Sequence, residues 1–221
     1  MENQVEEIKK GWDDELYFKN LIDKVNEEYK IANLARSKGL DPLDKVEIPL
    51  AMTMAEKSVG LITTIYPDLP IEEITKRMLE LEEEYGQLDT SVSFVIAREI
   101  AEEKFHKFEN QVQAIDAGIR VGFAYLTLGV VASPIEGYTG IQLGKTKDGK
   151  DYFIANFSGP IRSAGTTATC VVLMLIDYLR EHFGYAKYDS SEEEIKRYIT
   201  ENTDYHERVT NLQYFPTEEE M

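Results

Sequence analysis

The chain has 221 residues, 43% of them hydrophobic, which is sufficient for one large or two small domains with a sizeable core. Its formal net charge of -17 argues against general affinity for nucleic acid, which needs local positive charge to release counterions from phosphates, but a basic patch on an acidic body is compatible with it. The single cysteine excludes an intramolecular disulfide framework, and no apolar run reaches the roughly 18 residues that span a bilayer, so we expect a soluble, cytoplasmic protein without a membrane partner.

The first part of the chain carries helical patterns. Residues 1–11 are polar, and we expect them to be flexible. From residue 12 apolar residues recur at helical spacing, and Gly39 followed by Pro42 marks the end of this helix. Its apolar stripe is Leu16, Leu21, Val25, Tyr29 and Ala32. After a proline-containing connector, AMTMAEKSVGLITTIY predicts a second helix that Gly60 interrupts.

Two further helical patterns follow. DLPIEEITKRMLELEEEYG predicts a helix with Asp68 as a candidate cap and Gly86 as its end. The apolar stripe of this helix is Ile71, Ile74, Met78 and Leu81. The next pattern runs from Leu88 to Gly129 and is long for a single helix. We therefore expect a break or kink around Gly118 and Gly122.

The second part of the chain combines a hairpin with helices. YTGIQLGKTKDGKDYFIANFSG alternates apolar and polar residues around Asp148-Gly149, which predicts a β-hairpin at about 138–158. Helical patterns return at 164–183, and Ser190 or Ser191 is expected to cap a further helix. The ending PTEEEM resembles the first turn of another helix, which predicts that the chain is a fragment of a longer protein.

These patterns predict an α+β fold that is mostly helical, with a small antiparallel sheet. We expect the chain to comprise a flexible segment 1–11, a helical region 12–129 and a hairpin-plus-helices region 130–221.

No pattern indicates a catalytic or metal site. The three histidines, His106, His182 and His206, lie singly and lack an HExxH or CxxC partner, so we interpret them as structural or surface residues. The glutamate runs are typical of solvated helix faces, and no carboxylate pair stands out as an acid–base couple. Ser163 is outside a GxSxG motif, and Cys170 within an apolar run is interpreted as a small core residue.

The stretch SGPIRSAGTTAT, residues 158–169, is a candidate phosphate-binding turn. It leads from the hairpin into a helix, whose first N–H groups are unpaired and attract anions. The candidate contacts to a nucleic-acid backbone are Arg162, Ser163, Gly165 and Thr166. The structural alternative is that the proline and glycines shape a turn while Ser163 or Thr166 caps the helix.

A second basic spot lies at the predicted hairpin tip. Lys145, Lys147 and Lys150 form the densest positive cluster in the second half of the chain. Exposed lysines at such a tip usually serve solubility, and contact with a nucleic-acid backbone is the alternative.

Three segments resemble the amino-terminal region of the large subunit of the archaeal D-family DNA polymerase. They are YKIANLARSKGLDPLDKVEIPLAMTMAEKSVGLI, ANFSGPIRSAGTTAT and ERVTNLQYFPTEEE, and the resemblance covers most of residues 12–221. Thr167 stands where the family pattern carries a glycine. The resemblance implies that the whole protein is a replicative DNA polymerase and that this region is a non-catalytic assembly and DNA-holding part of it.

The resemblance also implies where the chemistry and the partners lie. Catalytic aspartates, bound magnesium and zinc-binding cysteines would lie beyond residue 221, so no cofactor is expected in this region. The implied partners are DNA, the small proofreading exonuclease subunit and, through other regions, a sliding clamp, with self-association left open. Kinship to KH modules is a further implication, although GPIRSAG lacks their GxxG loop. The alternatives are a pure protein-interaction scaffold without DNA contact and an independent small enzyme.

Overall fold

A computed structural model describes residues 14–40, 51, 53–127, 137–159 and 166–220. The elements within these ranges are, in chain order, α1 (Asp14–Ser37), α2 (Met54–Ile62), α3 (Ile71–Tyr85), α4 (Thr90–Ala101), α5 (Gln111–Thr127), β1 (Tyr138–Lys145), β2 (Asp151–Phe157), α6 (Thr166–His182) and α7 (Glu192–Arg208). The predicted α+β class, mostly helical with a small antiparallel sheet, is confirmed. The chain divides into two compact units, residues 1–135 and 136–221, called here the helical unit and the hairpin unit.

Helix α5 is the centre of the helical unit. Thirteen of its 17 residues are buried, and it packs against α4 and α2, while α3 packs against α2 and α4. The predicted stripe of α3 is buried at Ile74, Met78 and Leu81. Helix α1 differs, because none of its described side chains is buried and the predicted stripe residue Leu16 is 53% exposed.

The glycines of α5 do not break the helix, which runs from Gln111 to Thr127 without interruption, so the predicted break there is wrong. Gly118 and Gly122 lie where α5 passes directly over α4: a Cβ at Gly118 would overlap the Ala97 carbonyl oxygen, and one at Gly122 would lie 2.9 Å from the Ser93 carbonyl oxygen. The absence of a side chain permits this close approach. The Ser93 hydroxyl completes the contact by donating to the Gly122 carbonyl at 2.9 Å.

The helical pattern is instead interrupted between α4 and α5, and Glu103 shapes the turn. Its φ is 57°, and its carboxylate accepts the backbone N–H of Phe108 at 2.9 Å and the Lys107 ammonium at 3.0 Å. These bonds hold the pKa of Glu103 below its ordinary value, with the Phe108 N–H as the main cause. The reversal therefore depends on a side-chain to backbone bond rather than on glycine.

Two other predicted helix boundaries are also wrong. Gly60 lies inside α2, where it interrupts nothing, and the helix ends at Ile62 with Thr63 as its C-cap. Asp68 does not cap α3, because Pro70 occupies the N-cap position without a side-chain bond. Pro70 sets this start because its missing N–H and fixed φ suit the entry to a helix.

Buried polar groups in the helical unit are joined across helices. Arg77 of α3 makes a two-pronged contact with Glu99 of α4, at 2.9 and 3.1 Å. Asp116 of α5 accepts bonds from Arg120 at 2.7 Å and from the Tyr66 hydroxyl at 2.8 Å. Burial raises the pKa of Tyr66, and the neighbouring carboxylate adds to this. Removing one member of such a group leaves a buried partner without its bond.

The hairpin unit is built on one antiparallel pair of strands. β1 and β2 pair from Tyr138 opposite Phe157 to Lys145 opposite Asp151, with a register irregularity near Gly140. This confirms the hairpin predicted at about 138–158. Helix α6 packs against β2, and its buried residues are Val172, Leu175, Ile176 and Leu179.

The outer face of α6 leaves apolar residues exposed. Cys170 is exposed, so its interpretation as a core residue is wrong, since it projects from the side of the helix opposite Val172. Leu173 and Met174 lie near it and are 44% and 61% exposed. Position within an apolar run therefore does not decide burial on this helix; angular position does.

Helix α7 begins with a capping box. Ser191 accepts the N–H of Glu194 at 3.2 Å, and the Glu194 carboxylate accepts the N–H of Ser191 at 2.7 Å, so of the two predicted caps Ser191 is confirmed. No residue of α7 is buried.

Candidate nucleic-acid interface

The hairpin tip is a five-residue turn, 146–150, closed by backbone bonds. The Thr146 N–H donates to the Lys150 carbonyl and the Gly149 N–H to the Thr146 carbonyl, both at 2.9 Å. Gly149 has φ +77°, a conformation that favours glycine. The Thr146 hydroxyl accepts the Lys150 N–H at 3.0 Å, so the positions of all three predicted lysines follow from a well-bonded turn.

The tip is fastened to the segment between α6 and α7. The backbone N–H of Lys147 donates to the Asp189 carboxylate at 2.7 Å, and the Ala186 N–H donates to the Asp151 carbonyl at 2.8 Å. The rings of Phe153 and Tyr185 lie 4.4 Å apart, which adds apolar contact beneath the tip. Burial raises the pKa of Tyr185, and the Asp151 carboxylate contributes in the same direction. The tip and residues 183–190 thus form one surface.

The lysines of this surface are not equivalent. Lys145 forms an ion pair with Asp151 at 2.7 Å, and the Lys147 ammonium donates to the Ser190 carbonyl at 3.5 Å. Lys150 and Lys187 are exposed, and neither has an ion-pair partner in the part of the chain that the structure describes. These two ammonium groups are therefore available to bind an anion.

A cavity of about 650 Å³ lies between the tip and residues 183–189. Lys150 and Lys187 line it, as do three carboxylates, those of Asp148, Asp151 and Asp189. The carboxylates offset the lysines, so the surface has no strong positive field of its own. A phosphate can approach only where a lysine projects past the aspartates, which suits a limited contact with a nucleic-acid backbone better than a broad binding face.

Sequence reasoning located only part of this surface. The predicted positions of Lys145, Lys147 and Lys150 at a hairpin tip are confirmed. Arg162, Ser163 and Gly165 lie outside the described residues, and Thr166 begins α6 although its side chain is not described. The sequence does not predict that Lys187 and Asp189 belong to this surface. Asp189 lies 42 residues from Lys147 in the chain, so no local pattern links the two.

Two of the histidines that were predicted to be structural or surface residues lie beside aromatic rings. The ring of His106 lies 4.9 Å from that of Phe108. His206 accepts the Leu212 N–H at 3.0 Å through Nδ1, and its ring lies 4.8 Å from Phe215. The described ranges hold no group of three or more His, Cys, Asp or Glu side chains placed to bind a metal ion.

Comparison with known proteins identifies the family. Residues 16–221 match the model of the family described as "DNA polymerase II large subunit DP2, N-terminal", and the chain belongs to this family. The resemblance to the large subunit of the archaeal D-family DNA polymerase is thereby confirmed.

Individual relatives agree with the family match. The chain is 40% identical over 206 residues to a DNA polymerase II large subunit of Nanoarchaeum equitans, which covers 93% of this chain and 17% of that protein. It is 39% identical over 212 residues to the same subunit of Thermoplasma acidophilum, covering 96% and 18%. The chain thus spans less than a fifth of the length of the curated relatives it matches. Among the described helices, none has the length and apolar character needed to cross a bilayer.

Proposed function

We propose that this chain is the assembly and DNA-holding region of the large, catalytic subunit of an archaeal replicative DNA polymerase. The whole protein is then a DNA-directed DNA polymerase whose catalytic aspartates, magnesium and zinc lie in other parts of the subunit. Its partners are DNA and the small exonuclease subunit, with a sliding clamp bound through other regions. Family membership supports the polymerase identity, and the surfaces of the hairpin unit support the two roles of this region.

The observation that supports assembly most directly is the exposed apolar face of α7. Ile195 is 41% exposed and Tyr198 is 55% exposed, on a helix of 17 residues that has no buried residue. A helix of this kind gains little stability within its own unit, because helical stability in proteins comes mainly from packing of the apolar face. Ile195 and Tyr198 lie three residues apart and therefore share one side of the helix.

The assembly role can be tested by changing this face in the full-length large subunit. The double variant Ile195→Ser/Tyr198→Ser should weaken the complex with the small exonuclease subunit by about tenfold or more, because two apolar side chains at an interface are lost. The matched control is Asp204→Ala/Arg208→Ala, which removes an exposed ion pair of 3.4 Å further along α7, outside the cavity that Ile195 and Tyr198 line. Affinity is measured by sedimentation of the mixed subunits. Equal affinities for the two double variants would count against the assembly role.

DNA holding is supported by the two lysines without ion-pair partners at the tip cavity. Lys150 and Lys187 come from different segments but border the same cavity, and the backbone bonds of the tip fix their relative positions. Such lysines bind phosphate without reading sequence, so the contact would position DNA and not select it.

Salt dependence tests this contact. Lys150→Ala/Lys187→Ala in the full-length subunit should lower the slope of log affinity against log salt by about two, since each phosphate contact contributes about 0.9. Lys19→Ala/Lys30→Ala on exposed positions of α1 is the matched control and should leave the slope unchanged.

Arg162→Ala should flatten the slope by about one if Arg162 contacts the DNA backbone. If Arg162 forms a buried ion pair instead, the same variant should lower stability and leave the slope unaltered.

The alternative function is a pure interaction scaffold without DNA contact. The net charge of -17 and the three carboxylates around the tip cavity favour it. The two double variants separate the alternatives: a scaffold responds to the changes on α7 and shows no altered salt slope when Lys150 and Lys187 are replaced.

A further inference from the structure

An apolar groove lies between α2 and α3 in the helical unit. Its volume is about 730 Å³. Apolar and small side chains from both helices form its floor, with Gly60 and Leu61 on α2 and Ile71 and Leu79 on α3. Leu79 is 37% exposed although it lies between two packed helices. The groove is therefore an apolar surface that the described residues of the helical unit leave uncovered.

The groove follows both helices. On α3 its lining residues recur from Ile71 to Glu83, and on α2 from Glu56 to Leu61, with Thr64 just beyond the end of α2. The α3 side spans roughly 18 Å at 1.5 Å per residue, which is about three helical turns. This shape fits an added helix whose apolar residues recur every three or four positions.

The rim of the groove is acidic. Glu72, Glu80 and Glu83 of α3 line it, and Lys57 and Lys76 are the basic residues that do so. Glu56 also lines it, but its carboxylate is used in the capping box with Thr53. The whole of α3 carries six glutamates against one lysine and one arginine, and the arginine, Arg77, is held by Glu99 and Glu80. A bound segment should therefore carry positive charge beside its apolar face.

A polar group at the groove lacks a partner. Thr75 lines the groove and is only 6% exposed, and its hydroxyl makes no hydrogen bond in the part of the chain that the structure describes. An unsatisfied hydroxyl in a buried position is unusual in proteins and costs free energy. The hydroxyl oxygen itself is covered, so it lies beneath the surface of the groove.

We propose that the groove between α2 and α3 binds an amphipathic helix of a partner protein, with apolar residues flanked by lysine or arginine. The apolar residues lie on Leu61 and Leu79, and the basic residues face Glu72 and Glu83. This inference depends on the helical unit alone and holds whether or not the hairpin unit contacts DNA or the small subunit.

The test uses synthetic peptides and the 221-residue chain. The probe is a peptide of about 15 residues with leucines at helical spacing and lysines elsewhere, a length at which a helix is marginal alone and forms on binding. A second peptide has glutamate in place of every lysine, and a third has the leucines and lysines of the probe in scrambled order. Fluorescence anisotropy should show binding of the probe at least about tenfold tighter than of either other peptide.

Two pairs of variants locate the site. Leu61→Ser/Leu79→Ser should weaken binding of the probe by about tenfold, whereas Leu143→Ser, which changes an exposed leucine of the hairpin unit, should not. Glu72→Gln/Glu83→Gln should weaken it by about fivefold at low salt and less at high salt. Glu73→Gln/Glu84→Gln changes the same number of charges on α3 outside the groove and should have little effect.

Three results would overturn the proposal. Equal losses for the two glutamate double variants would mean general attraction to an acidic protein. Equal affinity for the probe and its scrambled form would mean that no helical face is recognised. Concentration-dependent dimerisation of the chain that Leu61→Ser/Leu79→Ser abolishes would assign the groove to a second copy of the chain.

Discussion

The helical unit and the hairpin unit use their apolar residues in opposite ways. Among the described residues, twenty buried apolar residues lie in the helical unit and six in the hairpin unit. In the helical unit α5 is buried on nearly all sides, whereas in the hairpin unit α7 has no buried residue and α6 leaves Leu173 and Met174 exposed. Apart from α1, which has no buried side chain among its described residues, the first unit resembles a self-contained core, and the second resembles half of an interface.

This difference indicates which changes each unit tolerates. A closely packed core responds to single methyl groups and single hydrogen bonds, because it has no space or solvent to compensate. An exposed apolar face responds little until its partner is present. Local stability should follow the same division, since well-packed segments exchange their amide hydrogens slowly.

The largest expected effect is at the contact of α4 and α5. Gly118→Ala should lower the free energy of unfolding by about 3 kcal/mol, because its Cβ would overlap the Ala97 carbonyl oxygen of the facing helix. The control is Gly60→Ala in α2, where a Cβ meets nothing within 4 Å. That variant should raise stability by about 0.5–1 kcal/mol through helix propensity. Urea unfolding measures both, and a Gly118→Ala variant as stable as the natural chain would contradict the packing described here.

A second effect concerns acid stability. Burial tends to raise the pKa of Glu99, but the bonds from Arg77 and Lys104 outweigh it and hold this pKa below the ordinary value of 4.5. A carboxylate with a lowered pKa stabilises the fold above its unfolded pKa, and the stabilisation disappears as pH falls through the folded pKa. Glu99→Gln should therefore cost about 2 kcal/mol at pH 7 and progressively less on acidification below about pH 4.5.

The matched control for Glu99 is Glu80→Gln. Glu80 contacts the same arginine at 3.2 Å, but its side chain is 49% exposed, against 8% for Glu99. Exposed ion pairs contribute little, so this variant should change stability by less than about 0.5 kcal/mol. Thermal unfolding across a pH series compares the two, and an equal pH dependence for both variants would assign the acid sensitivity to other groups.

A smaller effect is expected at Thr75. Thr75→Val replaces a buried hydroxyl that has no partner among the described residues, so it should raise stability by about 1 kcal/mol. Thr127→Val is the control, because the Thr127 hydroxyl is equally buried but donates to the Phe123 carbonyl at 2.6 Å. The control should lower stability. The opposite order in thermal unfolding would show that the Thr75 hydroxyl is satisfied.

The smallest effect is expected on the outer face of α6. Leu173→Ser should alter stability by less than about 0.5 kcal/mol, because this side chain is 44% exposed. Leu175→Ala, two positions further on the buried face, should cost about 2–5 kcal/mol. Amide exchange read out in the hairpin unit is the suitable measurement. A large loss with Leu173→Ser would mean that this face is already covered within the chain.

Two local signals in the sequence, those of the hairpin and of the start of α7, predict the structure correctly. The hairpin follows from alternation around Asp148-Gly149, and the start of α7 follows from Ser191 three residues before Glu194. Both are decided within a few residues, where turn and capping chemistry act. The three lysines of the tip could be placed for the same reason.

Features that depend on distant residues could not be read. A glycine in a helix permits either a kink or a close contact, and only the position of Ala97 shows that Gly118 makes a contact. The balance of charge at the tip likewise depends on Asp189, which is brought there by the path of α6. The exposure of Cys170 depends on which side of α6 faces the sheet.

The paired glycines of α5 also set its alignment against α4. If α5 were shifted along α4 by one residue, Ile119 and Phe123 would meet the backbone of α4, where there is no room for a side chain. The glycines therefore fix the register in which the two helices pack. This register determines which side chains of α5 hydrogen-bond with other segments: Asp116 bonds with Tyr66, and Tyr125 bonds with Glu82. Two glycines thereby position the hydrogen bonds that other residues of the same helix make.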